Sequence, residues 1–226
     1  HTRYPLVTGV QTCALPILPN WGGNPPLDLV EHEIGHALGW MHSTIDLADD
    51  VGRHSYDSPL DVMSDSAAPR AVDSTRRGGP GPLALDLYAS GWLEPGDVEI
   101  MPVGAEPDEW QDAVRLVSTD SPSVPGSRRV LIVVLGDRRL VTIELKAARG
   151  DDSHLGGPGV AVHLVERGAT GDGWTARVVS SGDVGLLRAN SSWSWASGRL
   201  EIRVNSIRSV GESLATEVWV RRLADA

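Results

Sequence analysis

Three histidines and a glutamate stand out for what their spacing allows. In His32-Glu33-Ile34-Gly35-His36-Ala37-Leu38-Gly39-Trp40-Met41-His42 the first two histidines are four residues apart. On a helix that places them about 6 Å apart along one face, so both imidazoles reach one ion at roughly 2.0–2.1 Å. A third ligand from the next helical turn would crowd the open coordination position, so the chain has to leave the helix. Gly39 can take the left-handed conformation that ends it and swings His42 back underneath. Three neutral nitrogens leave a fourth position for water, the arrangement of a catalytic zinc rather than a closed structural one. Glu33, beside the first ligand, is placed to accept a proton from that water and pass it to a leaving amine. Zinc lowers the water's pKa towards about 7 and polarises a scissile carbonyl. These residues point to metal-assisted amide hydrolysis.

Other chemistry-bearing residues have plainer explanations. Asp46, Asp49, Asp50 and Asp57 offer oxygens of the kind calcium takes, but without EF-hand spacing, and a solvated loop is the preferred account. His54, His154 and His163 have no partner at metal spacing and are expected at the surface or in the core. Trp193 and Trp195 alternate and share a strand face, which suits packing between sheets better than a carbohydrate platform.

The pattern HExxHxxGxxH resembles that of the metzincin metallopeptidases, and Ser43 after His42 is similar to the matrixin version. Asp57-Ser58-Pro59-Leu60-Asp61-Val62-Met63-Ser64 looks like their Met-turn. The resemblance implies that Met63 lies under the zinc site as a packing residue and not a ligand; a gap-filling buried methionine is the simpler alternative. Tyr56 does not match the position of the tyrosine that assists the transition state in some metzincins. Leu83 to Leu93, ending Ala89-Ser90-Gly91-Trp92-Leu93, resembles the helix that closes the catalytic domain in bacterial relatives of gametolysin and the immune-inhibitor-A peptidases. Gly157 to Val165 resembles a strand of the β domain that follows it there. The 20 residues between His42 and Met63 also suit this looser group better than matrixins. The family implies one catalytic Zn2+ held by His32, His36 and His42, Glu33 as general base, a protein or peptide substrate, and secretion from a bacterium. Metzincins also place an N-terminal sheet above the cleft, whose edge strand holds substrate. The roughly 26 residues before this helix are too few to build it, so the chain is expected to be an inactive lower half that binds zinc weakly or not at all.

The elements that must position these residues follow from caps and periodicity. Asn24 before Pro25 and Pro26 reads as an N-cap with proline in the first turn, and helical periodicity runs from Leu27 until Gly39 stops it. At about 100° per residue, His36 lies about 40° from His32, while Leu27, Val30, Ile34, Ala37 and Leu38 fall between about 140° and 240°. The histidines therefore sit opposite the apolar stripe. Residues 43–82 read as a long irregular connection, and a second helix is predicted from Leu83 to Ser90 with Gly91 as its stop. Beyond Glu94-Pro95-Gly96-Asp97 the pattern turns to short strands: Val98–Met101, Ala113–Val117, Arg129–Leu135, Leu140–Leu145, Val160–Val165, Thr175–Val179, Leu200–Val204 and Ala215–Val220. Strands at that spacing suggest a sandwich. Val141 to Leu145 and Glu217 to Arg221 alternate apolar with polar, as half-buried antiparallel strands should.

The expected fold class is α+β. Residues 18–94 would form the C-terminal half of a metzincin catalytic domain, with zinc helix, Met-turn and closing helix, and 95–226 an all-β, sandwich-like domain. Residues 1–17 are set apart, because Val7 to Ile17 resembles a translated sequencing-adapter scar; the alternative is a poorly ordered arm.

Composition bounds the function. The 226 residues carry 41% hydrophobic and 22% charged side chains, ordinary for a globular chain. No apolar run approaches the roughly 18 residues of a membrane-spanning helix. The net charge of −10, with no basic stripe, disfavours nucleic acid as a partner. Cys13 is the only cysteine, so there is neither a disulfide framework nor a thiolate zinc site. Arginine outnumbers lysine 19 to one, a bias ascribed to a GC-rich genome. Two rival functions remain: a binding or adhesion module whose metal site is vestigial, and a zinc hydrolase of a non-peptide amide or ester.

Overall fold

The computed structural model describes residues 27–45, 57–65, 80–102, 108–167, 173–180, 183–195 and 199–224. The N-terminal arm, the Asn24–Pro26 cap, Asp46, Asp49, Asp50, His54 and Tyr56 lie outside the described residues.

The described residues combine two short α-helices with mostly β structure, and both α-helices end in the same way. α1 (Leu27–Leu38) stops at Gly39, whose φ of +82° is open to glycine. α2 (Ala84–Ala89) stops at Gly91, φ +77°. In each the glycine N–H and the following tryptophan N–H turn back onto the helix: Gly39 to the His36 carbonyl and Trp40 to that of Gly35, then Gly91 to Tyr88 and Trp92 to Leu87. This paired closure satisfies carbonyls that a helix end leaves orphaned. The two Gly-Trp stops also meet. The Trp40 and Trp92 rings sit edge to face at 5.6 Å, and the Trp40 indole N–H donates to Ser90 Oγ at 2.6 Å.

All eight expected strands are present, as β2 (Val98–Pro102), β3 (Val114–Val117), β4 (Val130–Gly136), β5 (Arg139–Lys146), β6 (Gly159–Arg167), β7 (Trp174–Val178), β10 (Leu200–Val204) and β12 (Ser213–Arg222). Four shorter ones join them: β1 (Ser43–Ile45), β8 (Leu186–Leu187), β9 (Ser192–Trp195) and β11 (Arg208–Val210). One sheet runs β1-β7-β6-β5-β4-β2, with β8 beside β6; its outer pairs β1–β7 and β2–β4 are parallel and its centre is antiparallel. In the other, β12 pairs with β10, β11 and β3, and β9 flanks β10.

Alternation decides which residues close the space between the sheets. Leu131, Val133, Val141, Ile143, Leu145, Val160, Val162 and Leu164 of the first sheet meet Leu116, Leu200, Ile202, Val204, Val218 and Val220 of the second in one buried core. Trp193 and Trp195, 6.3 Å apart and nearly parallel, pack against its edge.

The first sheet is covered on its other face as well. Val130, Ile132, Val165 and Ala176 pack against Leu83, Ala84, Leu85 and Leu93 around α2. Ala161 and Val178 pack against Leu60 and Leu155. The expectation that Val141 to Leu145 is half-buried is therefore corrected: every residue from Val141 to Lys146 is buried, because a third layer lies on the side where Thr142, Glu144 and Lys146 point. β12 keeps the half-buried pattern, with Glu217, Trp219 and Arg221 on its open side. β1 hydrogen-bonds to β7, and the Ala176 N–H reaches the His42 carbonyl at 3.1 Å. The layer carrying the histidines is thus stitched into the β-rich part of the chain across the expected boundary at residue 94. Among the described residues, no helix is long and apolar enough to cross a membrane.

Candidate metal centre

α1 buries the side that its apolar pattern would leave outside. Asp28, His32, Glu33 and Gly35 are buried, whereas Leu27 and Ile34 are about half exposed, at 49% and 51%. An ordinary amphipathic helix does the reverse. Here what lies beneath the helix is a turn shaped to receive the histidine face.

The structure brings His32, His36 and His42 together. Their ligating nitrogens all lie within 4.8 Å of one another, and the Nε2 atoms of His36 and His42 are 3.0 Å apart. Ring centroids are separated by 4.7, 5.4 and 4.6 Å. Nitrogens around a tetrahedral ion at roughly 2.0–2.1 Å stand about 3.3 Å apart, within this spread. His32 and His36 are set by one helical turn, and the glycine-ended helix returns His42 to them. Among the described residues this is the one group of three or more metal-ligating side chains, and its chemistry fits a divalent transition metal.

A carbonyl fixes how His32 presents itself. His32 Nδ1 lies 2.8 Å from the Val62 carbonyl; a carbonyl only accepts, so Nδ1 carries the proton and Nε2 keeps its lone pair. Metal-bound histidines characteristically have such an outer partner. Val62 belongs to the tight turn expected around Met63. In that turn the Ser64 N–H donates to the Asp61 carbonyl, Asp65 N–H to the Ser58 carbonyl, and Ser58 N–H to Ser64 Oγ. Met63 is fully buried with Trp40 and Val62, directly under α1. A Cβ added at Gly35 would run into the Met63 sulfur and the Trp40 ring, so the helix and turn touch only because residue 35 has no side chain.

The electrostatics favour the neutral form of His36 and His42, the form that ligates. Burial, then the charges of His36 and His32, push His42 down to about 4. His36 is lowered by burial and by His32, against an upward pull from Glu33. The Glu33 carboxylate is thus close enough for its charge to act on a ligand, and it is itself largely buried.

Of the remaining candidates, Asp57 accepts the Ile45 N–H at 2.8 Å and so serves as a loop clamp. His154 Nε2 donates to the Pro59 carbonyl at 2.7 Å. His163 is fully buried in the sheet. Residues passed over in the sequence stand close behind the site. Asp61 accepts from Ser43 Oγ at 2.6 Å and from the Met63 N–H at 3.1 Å, joining the residue after His42 to the turn under α1. Gly35 lets that turn approach the helix, and Asp86, Glu144 and Lys146 are buried charged groups as well. Lys146 had a readable signal: it is the single lysine in a chain that otherwise uses arginine. Comparison with protein-family models, with curated proteins and with solved structures finds no match.

Proposed function

We propose that this chain carries the catalytic centre of a zinc-dependent endopeptidase of the metzincin kind, with His32, His36 and His42 as ligands and Glu33 as general base. The observation that carries this reading is the convergence of three imidazoles, two from one helical turn and one returned by the Gly39 stop, with a carbonyl orienting the first. When bound there, zinc supplies Lewis-acid polarisation of a carbonyl and a lowered pKa for water. The chain's own residues do the rest. Glu33 takes the proton of the attacking water and delivers it to the leaving nitrogen. The Val62 carbonyl holds His32 in its ligating tautomer, and Met63, under Gly35, keeps the helix at a fixed height over its floor. Secretion and a peptide substrate are part of the same proposal.

The test is Glu33→Gln in the full-length protein. Casein hydrolysis should fall by at least about 100-fold, as expected for loss of a general base, while zinc content stays unchanged. Turnover at the original rate would remove Glu33 from the mechanism. A zinc-loaded wild type that cleaves neither casein nor small esters would favour a binding module instead.

A further inference from the structure

Behind the metal centre lies a layer of buried charge that neither the sandwich core nor the proposed chemistry needs. Lys146 ends β5 on the face turned towards the metal-bearing layer and is 1% exposed. Its ammonium donates to the Pro82 carbonyl at 3.3 Å and stands 3.6 Å from Glu144 and 3.8 Å from Asp152. Those carboxylates grip the same stretch of chain: Asp152 accepts the Gly81 N–H and Glu144 the Ala84 N–H, both at 3.1 Å. Asp61 accepts the N–H of Leu83 between them. Every backbone polar group from the Gly81 N–H to the Ala84 N–H that has just been named is therefore met by a charged side chain.

Asp61 connects this grip to the ligands. Besides Leu83, it holds Ser43 Oγ, next to His42, and the Met63 N–H, next to the Val62 carbonyl that orients His32. Asp61 is 0% exposed, and a buried carboxylate is stable only with countercharge or full hydrogen bonding. Asp86 and Glu144 are also buried, so several acids share one ammonium. Burial alone would lower Lys146, but Asp152, Glu144 and Asp61 together push it above its usual range, so it is charged.

We propose that Lys146 is a positioning residue of the three-histidine site: seated in the sheet, its ammonium is the countercharge that lets Asp61 fasten the residue after His42 to the turn that orients His32. This rests on the metal-binding reading above. The β-rich part of the chain is then not an appendage of the metal centre but supplies the charge on which its geometry depends.

The experiment measures cobalt(II) and zinc affinity of the whole chain for wild type, Lys146→Met, Lys146→Met with Asp61→Asn, and Ile143→Ala. Ile143 sits on the same strand facing the sandwich core, so its variant controls for lost stability. Lys146→Met should weaken metal binding about 10-fold in the folded protein, the low end of what losing a direct outer-shell partner costs, because Lys146 acts through Asp61, and should alter the cobalt d–d absorption. Adding Asp61→Asn, which removes one of the charges left uncompensated, should restore part of the affinity, and Ile143→Ala should leave it unchanged. Lys146→Met matching Ile143→Ala in affinity and spectrum would overturn the proposal while leaving the metal site standing. A wild type that binds neither metal would overturn the site itself. If Lys146→Met does not fold, wild type still decides. Lys146 is the one lysine, and its buried amine is reached by an acylating reagent only when its layer opens, so zinc, by holding that layer closed, should slow acylation at least tenfold; an unchanged labelling rate would contradict its role.

Discussion

The two faces of the seven-stranded sheet, made by alternate residues of the same strands, are organised on different principles. On one face Val141, Ile143 and Leu145 meet the second sheet through apolar side chains alone. On the other, Glu144 and Lys146, interleaved with them on β5, meet the histidine-bearing layer through charge and hydrogen bonds, beside the apolar contacts of Val130, Ile132, Val165 and Ala176. Apolar contact is non-directional and tolerates small shifts, whereas a charged hydrogen bond fixes distance and angle. The sandwich face supplies stability. The opposite face spends some of it on placing the Met63 turn, the residue after His42 and the start of α2 where three imidazoles can converge.

Substitutions can break that division of labour. The largest effect is expected on the apolar face, where Ile143→Ala should lower stability by about 2–5 kcal/mol, seen as a reduced midpoint in urea unfolding. A loss of metal affinity in the folded variant would show that the faces are not independent. Gly35→Ala should cost about 1–3 kcal/mol through overpacking against Met63 and Trp40, and should also weaken zinc binding, because the helix must lift from its floor. A neutral outcome in both calorimetry and metal titration would remove Met63 from the support of the site.

His163 sharpens the contrast from the other side. It is fully buried on the charged face, cross-strand from Thr142, and neither ring nitrogen has a hydrogen-bond partner among the described residues. Burial, then the Lys146 charge, push it down to about 3. The unfolded chain takes up this proton near pH 6.5 and the folded chain only near 3. The stability that the neutral ring contributes is thus complete above about 6.5 and lost as pH falls towards 3. Asp61 works the opposite way. Burial raises it to about 6, so it favours the fold at low pH and loses that contribution as pH rises through 6. His163→Leu should therefore stabilise the chain by about 1 kcal/mol at neutral pH, by removing unsatisfied polar atoms, and flatten its acid denaturation between pH 6.5 and 3. Destabilisation by the leucine would mean that the imidazole has a partner worth more than its burial penalty.

What could be read in advance was local. The histidine-bearing helix, its Gly39 stop and the return of His42 follow from spacing and one glycine, and the long strands follow from alternation. What could not be read was which side each element turns inward. Spacing set the histidines opposite an apolar stripe but did not say that the helix buries the histidine side and leaves Leu27 and Ile34 half exposed, because the receiving turn lies 30 residues beyond His32. Thr142 and Glu144 looked solvent-facing because the layer that covers them comes from residues 60–85, a separation no short window spans. β1 is three residues long and exists through its pairing with β7, distant in sequence. Lys146 carried a compositional mark, yet composition does not say where a charge sits.

Metal titration of the purified chain, comparing wild type with His36→Ala and His42→Ala, is the most direct test. Against the expectation from sequence that the chain alone binds zinc weakly or not at all, the convergence of the three imidazoles predicts one zinc per wild-type chain, released by a chelator and lost in both variants. Zinc uptake indifferent to either substitution, or none in the wild type at saturating metal, would contradict the three-imidazole site on which the account stands.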